Sequence, residues 1–277
     1  VRQWMENVSP VFGIVKYEKP PRAFGGRLIQ AHYQLFNTLQ LSYEEMEQVL
    51  KPSLDYIGAI RRDPAVLRYA IQYPFDDGSG GWSSLDSKNE IIFRMLGINE
   101  KFSRTKMYYD FRDDLIKGEI RNLKKGHVLI SGNYSTLMGN GAEMLQESIG
   151  QFNGKSIIGV GNVHSTRFAY GQTLLASRSP HVTMGNILLT TNVACEYYDT
   201  YFNMTDCIVC VNAIGENIQH RLNGCDYDSD TMLITDDPLL INVAKRNYSK
   251  FLVPTNLTTS STKQCYYTDS EKAGLDV

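Results

Sequence analysis

From His127 onward the chain is a series of short apolar runs, 127–131, 156–160, 173–177, 187–190, 207–212 and 231–235, separated by Gly, Asn and Ser. Runs this short suit strands rather than helices, and the breaks suit turns. Strands of this kind need a sheet folded back on itself, and a barrel suits them. One helix, about 141–149, interrupts the series, and another, roughly 238–249, follows Asp237-Pro238. The preceding half reads as helical. In Leu41-Ser42-Tyr43-Glu44-Glu45-Met46, Ser42 can cap the amide of Glu45, Glu45 can reach back, and Leu41 can staple to Met46. Pro52 is expected to interrupt or kink that helix. Asp63-Pro64 opens the next, with Pro where a missing N–H costs nothing. Residues 76–81 read as a flexible loop. Ser87 with Glu90 starts a short helix ending near Gly97, and a longer charged helix follows over roughly 103–123. The expected class is α+β, a helical N-terminal half feeding a β-rich unit.

At 277 residues the chain can bury a substantial core in one large domain or two modest ones. A net charge of −2 excludes a protein that binds nucleic acid by overall charge alone, while leaving room for a local basic cleft. Five cysteines without framework spacing favour a reducing, cytoplasmic setting. Cys207 and Cys210 form a C-x-x-C, but Ile208 and Val209 between them mark a core strand rather than a zinc or redox site. No apolar stretch reaches the roughly 20 residues that span a bilayer, and no signal peptide is legible. Asn203-Met204-Thr205 reads as a chance glycosylation triplet. The absence of an initial Met, and an ending at Asp276-Val277 straight after a charged segment, lead us to expect a piece of something longer.

The chemistry concentrates in Asn223-Gly224-Cys225-Asp226-Tyr227-Asp228-Ser229-Asp230, between two strand-like runs. Alternate residues of an extended segment face one side, so Asp226, Asp228 and Asp230 can converge. Carboxylates this close repel by roughly 1 to 4 kcal/mol per pair, depending on the local dielectric, and take up protons or bind a cation. Hard oxygen ligands suit Mg²⁺, the ion of nucleotidyl transfer. A solvated acidic turn is the plain alternative. A calcium loop of EF-hand type fits less well, because position six is Thr231 rather than Gly and position twelve is Asp237 rather than Glu. Two other features stand out. Gly132 to Asn140 places two Gly-Asn pairs around a small polar turn before a helix, a tight turn that could cradle phosphate. Arg121, Lys124 and Lys125 form either a template-facing patch or a solvated helix end.

The surroundings of the loop carry a resemblance. Arg178-Ser179-Pro180-His181-Val182-Thr183-Met184-Gly185-Asn186 comes first, then the strand from Asp206-Cys207 ending at Gly215-Glu216. The triple-Asp loop follows, and after it Asp236-Asp237-Pro238-Leu239-Leu240. This order resembles the RNA-silencing type of RNA-dependent RNA polymerase and its single-chain phage and bacterial relatives. The match covers about 176–240, and His32-Tyr33-Gln34-Leu35-Phe36-Asn37-Thr38-Leu39 looks like the helix that follows the first barrel in that family. The resemblance implies two double-psi β-barrels. Residues 1–125 would be the end of the first and a helical connector, 126–240 the catalytic barrel, and 241–277 a C-terminal helix and truncated tail. It implies template-directed RNA synthesis from NTPs, with a nucleic-acid template and nascent RNA as partners and the rest of the first barrel in the same protein. Asp226, Asp228 and Asp230 would hold Mg²⁺, or Mn²⁺. Arg178 would contact the nucleotide or the RNA 3′ end, and Pro180 would fix the local backbone.

The chain departs from the family at three places. Ser229 stands where the loop usually has Gly, a costly choice if φ is positive there. Asn186 replaces an Asp. A loose alignment of Val1–Asn7 onto the end of the first barrel puts Asn7 where a lysine is usual, and Lys16 and Lys19 cannot be assigned. A non-catalytic cation-binding domain and a degenerate RNA-binding relative therefore stand beside the polymerase reading.

Overall fold

The structure, a computed structural model, describes residues 23–72 and 88–255. The loop expected at 76–81, the Ser87 helix start, the Val1–Asn7 alignment and Lys16 and Lys19 lie outside these residues. A 3-10 turn at Ala23–Gly26 leads into β1 (Leu28–Ala31) and α1 (Tyr33–Leu39). The long helix α2 (Tyr43–Arg62) opens on the expected capping box: the Glu45 amide donates to Ser42 Oγ at 3.3 Å, and the Ser42 amide to Glu45 Oε2 at 2.9 Å. Leu41 and Met46 pack on one core, as a staple requires. Pro52 does not break this helix. It is exposed, as is Gln48 one turn earlier, whose carbonyl loses its usual helical donor at Pro52, while Val49 and Ser53 face inward.

Helix α3 (Pro64–Gln72) starts at proline, as expected, with Asp63 capping Ala65. After α4 (Lys88–Ile98) a 3-10 turn at Glu100–Arg104 delays α5 (Lys106–Lys124), which Thr105 caps. Helices α2 to α5 close on a core that includes Ile60, Leu67, Ile71, Ile92, Phe102 and Phe111.

Next come β2 (Val128–Ser131), β3 (Asn133–Met138), α6 (Gly141–Ser148), β4 (Asn162–His164) and β5 (Thr173–Ser177). They are followed by β6 (Leu188–Asn192), α7 (Glu196–Tyr201), β7 (Ile208–Val211), α8 (Ile218–Arg221), β8 (Thr231–Thr235) and α9 (Pro238–Asn247). Six strands form a closed barrel in the order β3-β7-β4-β6-β5-β8. The β3–β7 and β4–β6 pairs are parallel and the other four antiparallel, a topology compatible with the double-psi barrel. Alternation fills it. Leu174 and Ala176 of β5, Met232 and Ile234 of β8, and Val209 and Val211 of β7 meet in the lumen with Leu137 and Val163. Each of these buried side chains larger than alanine contributes about 1.5–3 kcal/mol. Leu175 and Leu233 face outward into a second core with the β1–β2 ribbon, α1 and α9, so β5 is buried on both faces. Asp237 caps α9, accepting from the amides of Leu239 and Leu240 at 2.9 and 3.1 Å.

Several sequence expectations need correction. Residues 156–160 form a loop, because Gly159 and Gly161 take positive φ (78° and 77°), and the strand begins only at Asn162. The run 127–131 is a strand of the β1–β2 ribbon rather than of the barrel. Residues 133–138, read as a polar turn, are barrel strand β3, whose alternate residues Asn133, Ser135 and Leu137 face inward. Strand β1 and helix α7 carried no signal that was recognised.

Candidate metal centre

The carboxylate loop is held at both ends. At its start, Asn223 and Gly224 take left-handed φ (56° and 66°), and the amides of Gly224 and Cys225 donate to the Gln219 carbonyl at 2.7 and 3.3 Å. This folds the chain back and drives Cys225 into the barrel core, where burial pushes its thiol up to about 11. At its end, the Leu137 amide of β3 donates to the Asp230 carbonyl at 2.8 Å. Between these anchors Tyr227 points away from the carboxylates. Its hydroxyl accepts from Gln219 Nε2 at 3.1 Å, and its ring covers Gly139, where a Cβ would come within 2.8 Å of the ring.

Asp226, Asp228 and Asp230 thereby turn to one side, and one carboxylate oxygen of each lies within 4.8 Å of the others. Asp226 and Asp228 are exposed and Asp230 is half-buried. The Asp226 amide donates to Asp230 Oδ2 at 3.0 Å, and the Asp228 amide to Asp226 Oδ1 at 3.3 Å. Ser229, whose hydroxyl donates to the Asp228 carbonyl, has φ 94°, the left-handed region that favours glycine. Oxygens on one ion with bonds of about 2.1 Å stand roughly 3.0 Å apart when adjacent and 4.2 Å when opposite. The three oxygens, within 4.8 Å of one another, lie close to that range, and their all-oxygen, triply charged donor set suits Mg²⁺ or Mn²⁺. The EF-hand alternative fails because Thr231 begins β8 where the calcium loop would have to continue.

Arg178 joins the cluster from the end of β5. Its guanidinium pairs with Asp230 Oδ2 at 2.7 Å and donates to the Asn223 carbonyl at 3.1 Å. Pro180, after a cis Ser179–Pro180 bond, is reached through Asn223, whose side-chain amide donates to the Pro180 carbonyl at 2.7 Å. Asn186 is fully buried. Its Oδ1 accepts from the amides of Val182 and Thr183 at 3.0 and 2.8 Å, and its Nδ2 donates to the Arg221 carbonyl at 3.1 Å. An Asp in its place would lose the donor, so asparagine suits this setting.

All the expected site residues thus gather around one loop. The Gln219 latch, the Tyr227–Gly139 contact and the anchoring roles of Asn223 and Asn186 went unread. Asn223-Gly224 is a turn signal that could have been used, whereas the Tyr227–Gly139 contact and the Asn186 bond to the Arg221 carbonyl join residues far apart in sequence. Within 132–140, residues 133–138 are a paired strand, which leaves only Gly139 and Asn140 as the turn before α6. Arg121, Lys124 and Lys125 are exposed on the last turn of α5 and at its cap, where basic side chains complement the helix dipole. Cys207 and Cys210 are buried at β7, as a core strand requires.

No protein-family model matches the chain, and no curated protein does. Among solved structures, the RNA dependent RNA polymerase QDE-1 from Thielavia terrestris is similar, with a TM-score of 0.57 and 18% identity. The match covers 85% of this chain and 27% of that one, so this chain spans about a quarter of the neighbour's length. At that identity the likeness is one of fold.

Proposed function

We propose that this chain supplies the ion-holding barrel of a template-directed RNA polymerase. Asp226, Asp228 and Asp230 would hold Mg²⁺, or Mn²⁺, in the active centre. In the reaction, the 3′ hydroxyl of the nascent RNA attacks the α-phosphate of an NTP in line. The new P–O bond forms as the bond to pyrophosphate breaks, and the hydroxyl proton passes to solvent. Ions on the triad would supply positive charge to the attacking and leaving oxygens. Arg178 has five N–H donors, more than Asp230 and the carbonyls of Asn223 and Leu222 use. Those remaining would bind ribose or phosphate, with Pro180 fixing the turn that carries them. The template and the lysines that meet the phosphates would be held by another barrel of the same protein, so residues 1–277 alone are expected to be inactive.

The observation that carries this reading is the convergence of three Asp oxygens within 4.8 Å, with Arg178 paired to one of the carboxylates, at the edge of a barrel whose fold an RNA polymerase shares. The test is RNA synthesis by the full-length protein in Mg²⁺, with and without primer, on single-stranded RNA and DNA. Synthesis that Asp228→Ala abolishes supports the proposal and identifies the template. No product on either template, with Mn²⁺ and several primers also tried, overturns it.

Ser229 favours a second reading, a barrel that binds a cation or RNA without chemistry, since a serine stands at a positive φ where the resembled family usually has glycine. That reading predicts that Ca²⁺ binds as well as Mg²⁺ and that NTPs leave metal binding unchanged.

A further inference from the structure

Helix α1 lies outside the barrel, yet it grips the turn that carries Arg178. The Thr38 hydroxyl donates its one proton to the Gln34 carbonyl at 2.8 Å. A carbonyl can only accept, so with that proton engaged we assign the 2.6 Å contact between Thr38 Oγ1 and His181 Nδ1 as a bond that the ring donates. This places the proton of the neutral imidazole on Nδ1. Burial, with His32 adding to it, pulls the His181 pKa down to about 4, so the ring stays neutral near pH 7. The His181 amide also donates to Gln34 Oε1 at 3.3 Å, so α1 holds both the main chain and the side chain of this residue.

From His181 the hydrogen bonds run on to the carboxylates. The preceding residue, Pro180, accepts from the Asn223 side chain at 2.7 Å. The Asn223 carbonyl accepts from Arg178, and Arg178 pairs with Asp230 Oδ2, the oxygen that also receives the Asp226 amide. We infer that Thr38, Gln34 and His181 are positioning residues of the metal centre, setting the Asp230 carboxylate through Asn223 and Arg178. The triad is then oriented from the helical half of the chain as well as from β3 and β8. Groups that orient a ligating side chain affect metal affinity by about 10–100-fold.

This inference rests on the reading of the triad as a metal site, and the experiment separates the two. Mn²⁺ binding to the full chain is followed by electron paramagnetic resonance in the wild type, Asp228→Ala, Thr38→Val and Thr38→Ser. A hydroxyl is lost in Thr38→Val at nearly constant shape and kept in Thr38→Ser. The relay predicts that Thr38→Val weakens Mn²⁺ binding by about tenfold and that Thr38→Ser restores it. A ¹⁵N spectrum should show His181 protonated on Nδ1 in the wild type, with that preference lost in Thr38→Val. Wild-type affinity in Thr38→Val, or no rescue by Thr38→Ser, overturns the relay while leaving the metal site standing. Equal Mn²⁺ binding by the wild type and Asp228→Ala removes the metal site and the relay with it.

Discussion

Ser229 shows what a single residue costs at this site. A side chain held in the left-handed region is disfavoured by roughly 1–2 kcal/mol, and Ser229 sits at φ 94° between two of the carboxylates. Ser229→Gly is therefore expected to stabilise the chain by about 1 kcal/mol, read as a higher midpoint in chemical denaturation. An unchanged or lower midpoint would mean that the hydroxyl bond to the Asp228 carbonyl outweighs the strain. The residue scale is also where sequence reading went furthest. The triad was legible because its chemistry is local, three Asp residues at the alternate positions of one extended segment. Arg178 was legible only through the resemblance, because its partner Asp230 is 52 positions away and no periodicity links them. Asn186 looked like a departure in sequence, and its donor bond to the Arg221 carbonyl explains it physically.

Among the elements, the contact between α1 and the turn after β5 carries a pH dependence. His181 is held down to about 4, chiefly by burial and then by the nearby His32. His32 is also lowered, by burial and by His127. A histidine whose folded pKa is depressed is protonated first in the unfolded chain. Its contribution to stability is whole above the unfolded value near 6.5 and is lost as the pH falls toward 4. Thermal unfolding between pH 7 and pH 4.5 should therefore show a steeper loss of stability in the wild type than in His181→Asn. Equal slopes would mean that the ring is not held neutral by its setting. Element reading succeeded where a local signal existed, as in the Ser42–Glu45 capping box and the Asp63-Pro64 start. It failed where packing overrode that signal. Exposure of Pro52 let α2 continue, and pairing with β7 and β8 turned the polar segment 133–138 into a strand.

For the whole molecule, the barrel was legible as a class but not as a topology. Short apolar runs announce a closed sheet, whereas the parallel pairing of β3 with β7 and of β4 with β6 joins segments that share no local pattern. Among the described residues no helix is long and apolar enough to cross a membrane. The likeness of fold to an RNA polymerase extends over most of this chain but only part of that enzyme, so chemistry must be tested in the full-length protein. The most direct test is a change of metal specificity at Asp228. A thiolate is a poor ligand for Mg²⁺ and a better one for softer ions. RNA synthesis by Asp228→Cys is predicted to fail in Mg²⁺ and to return in Mn²⁺ or Cd²⁺, beside a wild type active in Mg²⁺. Wild-type rates from Asp228→Cys in Mg²⁺ would contradict the assignment of this loop as the catalytic metal centre.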